Sequence, residues 1–445
     1  MSLPAFDRRG RHSGVRSLRP MASPTSFWTD DFPAPPGPDT GERLPASADV
    51  VVIGAGVTGS TAARRMAAAG LEVVLVDAGP AGGGASTVNG GMLVYGLKVG
   101  TRTLIKRHGY RLARELWQAS LDSVDLVEAI CREEGIEAQF DRAGAAALGY
   151  VRRDLQRFSD DSDWMESKLG FPTTVLGPEE IHRAVGSRRF VAAMVDGFSA
   201  GIHPARFAFG LVASAARAGA TVAEDTEVTG LARSAGAIDV ATPRGTVRAG
   251  RVLLATNGYT GPLVPAVRRG VVPIGSYIVT TEPLRRDVAE RLIPGRRLLW
   301  TSRRFLNYFR LTADDRLLMG GRQNLSPDLD LAESGRLLRR TIVDFFPELE
   351  GAAVTHSWTG RLGATFDLLP HIGEVDGVWY ALGYGGHGVA LGTYLGHEVG
   401  GLLAGEVERS PFADVPLPTR PYYRNRTWFL PAAAVLFRAL DRIGR

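Results

Sequence analysis

A strand, a glycine turn and a helix are written into "ADVVVIGAGVTGSTAARRMAAAGLEVVLVDAG", residues 48–79, and this stretch restricts the fold more than any other. Val50 to Ile53 form a short β-branched run of the kind that reads as a buried parallel strand. Thr58 to Ala69 follow with small, helix-favouring residues and no proline. Between them stand Gly54, Gly56 and Gly59. In a G-x-G-x-x-G turn the first glycine permits the bend, the second lets a pyrophosphate approach the backbone, and the third lets the helix pack on the strand. The helix start then presents free N–H groups and a positive dipole end to an anion. A second strand, Val73 to Val76, ends on Asp77, about 20 residues further on, where a carboxylate accepts hydrogen bonds from ribose hydroxyls. The same acid disfavours a 2′-phosphorylated dinucleotide. A βαβ unit cradling a dinucleotide is therefore expected.

At 445 residues the chain has room for two or three domains, and 44% hydrophobic with 22% charged residues is ordinary globular usage. Several of the arginines behind the net charge of +5 lie in the first twenty residues. The body is then nearer neutral, and nucleic-acid binding is not expected. The single cysteine, Cys131, lies in a predicted helix with no C-x-x-C or histidine partner, which predicts a reducing, cytoplasmic setting and no metal role. The basic N-terminus has no apolar core and is not read as a secretory leader, and Met21 is an alternative start. No apolar run is long enough to span a membrane. "TWFLPAAAVLFRALDRIGR" near the C-terminus reads as a docked terminal helix, with an interfacial membrane anchor or an oligomer contact as alternatives.

Residues 1–45 are expected to be disordered or extended, with a Pro-rich lead-in over 30–46. Gly109 to Glu134 form a long amphipathic helix placed outside the nucleotide core, and "GPEEIHRAV" a short one. His203 to Gly219 read as a helix, "ATVAEDTEVTGL" as a strand carrying Val228, and Val252 to Ala255 as a strand ending on small residues. Val272 to Arg322 alternate apolar and polar residues around an "ADDR" turn, as in a half-exposed antiparallel sheet, and the helix "SGRLLRRTIVDFFPEL" follows. Late in the chain "VWYALGY", "GGHG" and "VALGTYLGHEVGGLLAG" repeat the strand, glycine-loop, helix order. A second array of backbone N–H groups suits a flavin, whose carbonyl edge gains negative charge on reduction and needs fixed donors there.

Taken with "GGGASTVNGGML", "LLATNGYTG" and "WTG…DLLPHIG…GYGGHGV", the chain resembles the D-amino-acid oxidase family of flavoproteins from about residue 46 to 405. It is most similar to the γ-glutamylputrescine-oxidase-like branch. The resemblance implies an α/β fold: a Rossmann-like FAD-binding domain of glutathione-reductase type (ββα topology) over 46–100, 197–272 and 352–410, and a second α+β substrate domain on an antiparallel sheet over 101–196 and 273–351, with 411–445 as a C-terminal extension. It further implies that Gly54, Ala55, Gly56, Val57, Thr58, Gly59, Asp77 and Ala78 hold the ADP half of FAD, with the Val228 backbone against adenine. Ser86, Asn89, Gly90, Gly91 and Met92 would follow the pyrophosphate and flavin edge, with Ala255, Asn257, Gly258 and Gly360 beside them. Gly385, Gly386, His387, Gly388 and Val389 would face the pyrimidine carbonyls.

Two departures from the family pattern matter. Members with a covalent flavin use a cysteine near the segment of Gly360 or a histidine near the Ser86 to Asn89 turn, and this chain has neither, so the FAD is expected to be non-covalent. The family's carboxylate-clamping arginine is followed by proline, whereas Leu362 follows Arg361 here. Arg361 is expected to bind a substrate carboxylate or, alternatively, to pair with an acid such as Asp367. Tyr277, Tyr308 and Arg310 project from the β-rich segment as further candidates, and His387 is either a site residue or a loop histidine bonded to backbone. The implied activity is oxidation of the C–N bond of an amine or amino acid: hydride leaves a neutral amine for the flavin, the imine hydrolyses, and O2 takes the electrons to give H2O2. A quinone-linked D-amino-acid dehydrogenase and a redox sensor that binds a nucleotide without turnover are the alternatives.

Overall fold

The computed structural model describes residues 22–35, 43–234, 236–303, 305–321, 325, 330–421, 423, 429–430, 432 and 434–436. Its first sheet has eight strands. Along the main path they run His371–Val375, Val378–Leu382, Gly245–Leu254, Ser47–Ile53, Val73–Val76, Thr221–Ala223; Ala237–Thr242 and Gly230–Ser234 add antiparallel beside Gly245–Leu254. Ser47–Ile53 pairs in parallel with Val73–Val76 on one side and Gly245–Leu254 on the other. Val50, Val51 and Val52 are wholly buried, the condition for which a near-continuous apolar strand is selected.

The helix Val57–Ala68 packs on this sheet and against Gly388–Ala404, and glycine makes that crossing close. A Cβ at Gly396 would lie 2.3 Å from the Thr58 carbonyl oxygen, and one at Gly400 3.1 Å from that of Ala62. Gly392, Gly396 and Gly400 share one face at four-residue spacing, so the two helices meet almost backbone to backbone. Their N-termini thereby open onto one space.

The second sheet also has eight strands, in the order Val354–Thr365, Val271–Thr281, Leu317–Gly321, Asn307–Leu311, Leu298–Thr301, Ala145–Gly149, Ala192–Asp196, Thr174–Leu176. All pairs are antiparallel except Leu298–Thr301 with Ala145–Gly149. One face is closed by the helix Leu331–Phe345 over Phe309, Phe345 and Phe346. The opposite face looks toward the first sheet's helix N-termini.

Several boundaries differ from those expected. The strand Val354–Thr365, assigned above to the nucleotide-binding segment 352–410, pairs from end to end with Val271–Thr281 and belongs to the second sheet. The helix Tyr110–Glu134, placed above outside the nucleotide core, packs on Gly388–Ala404 and sends Leu116 and Ala119 into the first sheet's core. Within 1–45, residues 27–31 form a helix rather than extended chain, with Trp28 only 1% exposed, because its aromatic residues fill a gap between the sheets. Residues 1–21, including the alternative start, lie outside the described residues. Of the C-terminal stretch, Leu430 and Ala434 are buried beside Val272 and Tyr423, and most of the rest also lies outside the described residues. No helix among the described residues is long and apolar enough to cross a membrane.

Candidate active site

The first glycine turn is held by Asp77. Gly54 has φ +106°, which glycine alone adopts freely, and its N–H donates to the Val76 carbonyl at 2.8 Å. One Asp77 oxygen accepts the Ala55 N–H at 2.8 Å and the other the Gly79 N–H at 3.0 Å, leaving each with a further lone pair. Burial pushes the Asp77 carboxyl above its usual range, against those backbone donors and with help from nearby Asp225. At the start of the helix, the Val57 N–H donates to Ser86 Oγ at 3.1 Å. A Cβ on Gly56 would stand 2.7 Å from that same oxygen, so Ser86 keeps its place against the helix N-terminus only because residue 56 has no side chain.

The second glycine loop meets the first across Tyr384, whose hydroxyl lies 2.7 Å from Thr58 Oγ1. Gly385 and Gly386 have φ +59° and +119°, and His387 forms the N-terminal boundary of Gly388–Ala404. The Gly96 carbonyl, 2.9 Å away, can only accept, so His387 Nδ1 carries a proton.

One cavity of about 1160 Å³ joins these parts, above the 300–1,000 Å³ usual for a small-ligand pocket. It runs from Thr226, Val228 and Leu231, past Gly54, Gly56, Asp77 and Ser86, to Tyr308, Ser276 and Ile278 of the second sheet. Val57, Thr58, Ala78, Asn89, Gly90, Met92, Ala255, Asn257, Gly360, Arg361, Gly385, Gly386, His387, Gly388 and Val389 all line it. Tyr308 stacks over two glycines, with a Cβ on Gly90 or Gly320 falling 2.7 or 2.1 Å from its ring, and its hydroxyl lies 3.2 Å from Ser276 Oγ.

Other expected residues stand behind the lining. Ala55 contributes its N–H to Asp77, and Gly59 presses on the Gly54 carbonyl, where a Cβ would sit 1.9 Å away. Gly258 backs onto Leu362, and Gly91 onto the Ile202 carbonyl. Tyr277, expected to be catalytic, is 1% exposed in the core under Leu331–Phe345. Its neighbours Ser276 and Ile278 take the cavity face, since successive strand residues point to opposite sides. Arg310 is likewise buried away from the cavity: it donates to the Gly91 and Ile202 carbonyls, and burial pulls its guanidinium down to about 10. Arg361, paired with Gly275 next to the Gly360–Ser276 pair, lines the cavity and is exposed to solvent. Tyr95, Lys98, Trp300 and Leu306 also line the cavity; none sits in a glycine motif, so no local signal marked them.

A family model described as FAD dependent oxidoreductase matches residues 49–402. The chain belongs to the FAD-dependent oxidoreductase family. The gamma-glutamylputrescine oxidoreductase of Escherichia coli (strain K12) is 32% identical over 403 residues, 89% of this chain and 93% of that one. A probable oxidoreductase OrdL of Rhizobium meliloti (strain 1021) is 33% identical over 397 residues, 88% and 91% respectively. The glycine oxidase structure from Geobacillus kaustophilus superposes with TM-score 0.72 at 22% identity, over 85% of this chain and all of that one, which establishes the shared fold. As a member of this family the chain is FAD-dependent. Its cavity fits that cofactor: Gly54 and Gly56 bring bare backbone to its wall beside a helix N-terminus, Asp77 keeps acceptor capacity, and the volume exceeds that of a small-ligand pocket.

Proposed function

We propose that the chain oxidises the C–N bond of a primary or secondary amine or amino acid. FAD, when bound, accepts a hydride equivalent from the carbon next to nitrogen. The observation that carries this reading is the end-to-end likeness to an oxidoreductase named for γ-glutamylputrescine, over 93% of that protein's length.

The chain's own residues have the following parts. Gly54, Gly56, Val57, Thr58 and Asp77 would hold the ADP half, with Val228 at its adenine end. Asn89, Gly90 and the Gly385–Val389 loop would hold the flavin half. The hydrogen bond from Nδ1 to the Gly96 carbonyl fixes the His387 ring. Tyr308, Trp300 and Ile278 exclude water and set the position of the substrate carbon, the largest contribution asked of such a site. Asp77 and Glu227 are the only acids among the described lining residues, and both belong to the adenine half, so nothing acidic near Tyr308 holds the substrate amine protonated. Arg361 meets a substrate carboxylate.

The FAD is held without a covalent bond. The chain's one cysteine, Cys131, is buried in Tyr110–Glu134 outside the lining, its thiol pushed up to about 12 by burial. An unreactive lone thiol also suits the reducing cytoplasm, where we place the protein. O2 is the acceptor, and a quinone is the second reading. Turnover with an amine under air tests both. Stoichiometric H2O2 with a carbonyl product supports the oxidase. Reduction of a quinone-like dye without peroxide assigns the dehydrogenase, and neither activity across amines and D-amino acids overturns the reading.

A further inference from the structure

Residues 22–32 touch both sheets from outside. Ser23 extends the edge of the second sheet: its N–H donates to Thr355 and its carbonyl accepts from Ser357, each at 2.8 Å. The helix Phe27–Asp31 then bridges inward. Asp30 meets His356 Nε2 at 3.0 Å on the second sheet, and Asp31 meets His203 Nε2 at 3.2 Å at the start of Pro204–Arg217, which packs with the first. Trp28 sits between them in a cluster with Ile278, Trp358 and, at its border, Val88 and Tyr308. Ile278, Val88 and Tyr308 also line the cavity, so this segment backs the cavity wall.

Two donors of the segment and one of the strand Val354–Thr365 together hold three consecutive peptide carbonyls of that wall. Ser26 Oγ donates to the Thr87 carbonyl at 3.1 Å, Trp358 Nε1 to that of Val88 at 2.9 Å, and Trp28 Nε1 to that of Asn89 at 2.7 Å. None of the three donors lines the cavity, so all three carbonyls are drawn away from it. In a trans peptide the carbonyl and the following N–H point in opposite directions. The N–H groups of Val88, Asn89 and Gly90 are therefore turned toward the cavity, where a run of successive N–H groups favours negative charge.

We propose that residues 22–32 are a working part of the cofactor site, with Ser26 and Trp28 as positioning residues that aim the Val88 and Gly90 N–H groups at the flavin half of the cavity, on either side of the Asn89 N–H set by Trp358. The inference rests on the reading of that half as the flavin's place. It explains why Ser26, Phe27 and Trp28, outside the family match, are buried.

The test compares purified holoenzyme with Trp28→Phe, which keeps a ring and removes the indole N–H, and Ser26→Ala. FAD affinity on reconstitution, the shape of the visible flavin band, the flavin midpoint potential and the apo-protein melting temperature are measured on each. Trp28→Phe is expected to weaken FAD roughly three- to tenfold, the worth of one buried neutral hydrogen bond. It should also alter the band and move the potential to more negative values, because charge gained on reduction loses fixed donors. Ser26→Ala should do the same to a smaller extent, and decides the matter alone if Trp28→Phe fails to fold. Variants that lower only the melting temperature, with affinity, band and potential at wild-type values, overturn the proposal. A wild-type chain that binds no FAD overturns the cofactor reading instead.

Discussion

Asp77 reaches back across the first glycine turn to Ala55, accepting its N–H at 2.8 Å. The carboxylate is thus a brace for the loop and, in our reading, an acceptor for ribose hydroxyls. Asp77→Ala removes charge-accepted hydrogen bonds worth about 1.5–3 kcal/mol in total. FAD affinity should fall by roughly one to two orders of magnitude. Equilibrium titration of the apo-protein with FAD measures it, and an unchanged dissociation constant rules out the ribose contact.

Gly56 and Gly59 lie three residues apart and should fail in different ways. A methyl at Gly56 meets only the Ser86 side chain, whose hydroxyl at 2.7 Å can rotate about one bond, and the backbone there is extended. Gly56→Ala should change apo-protein stability by less than about 1 kcal/mol. It should nevertheless cost more than tenfold in FAD affinity, because it puts a methyl on the cavity wall beside the helix N-terminus. At Gly59 the methyl would lie 1.9 Å from the Gly54 carbonyl, and the overpacking should cost on the order of 3 kcal/mol before any cofactor is added. Denaturation of the two apo-proteins separates these outcomes; equal loss of stability contradicts the division of roles.

His397 should make the fold acid-sensitive. Burial first, and then the charges of Arg65 and Arg64, lower its pKa from 6.5 to about 4. The unfolded chain then binds the proton more readily than the folded one. The associated stability is complete above about pH 6.5 and is lost as pH falls toward 4. Melting temperatures between about pH 7 and pH 4 should fall less steeply in His397→Gln than in the wild type. Parallel curves would show that His397 titrates normally.

How much of this was legible in the sequence follows from how local each signal is. Gly54, Gly56, Gly59 and Asp77 act within one strand–turn–helix, so their spacing sufficed, and the first sheet follows from it. Tyr277 shows the limit. Alternation says that 276 and 278 share a face but not which face is inside, and an aromatic residue drew the choice to the wrong parity. Tyr95, Lys98 and Trp300 carry no local motif and gather only through tertiary packing. Trp28 was hidden for a related reason: its partner Asn89 is 61 residues away, and a Pro-rich neighbourhood reads as linker.

Arg361 is exposed, so the carboxylate pairing proposed for it would be screened by solvent and weaker than a buried clamp. Arg361→Met should raise KM for a carboxylate-bearing substrate by a factor worth about 1 kcal/mol, with kcat retained. The matching amine without the carboxylate should be indifferent. Steady-state kinetics on the pair check this, and an equal loss on both, with flavin content intact, makes Arg361 structural.

The central claim, that this chain takes electrons from a C–N bond onto its FAD, is met most directly by anaerobic mixing of the yellow holoenzyme with a panel of amines, N-substituted amino acids and D-amino acids. At least one of them should bleach the flavin within a single turnover and leave the imine's hydrolysis products in stoichiometric amount. A flavin that stays oxidised against the whole panel, while dithionite bleaches it normally, would contradict the account.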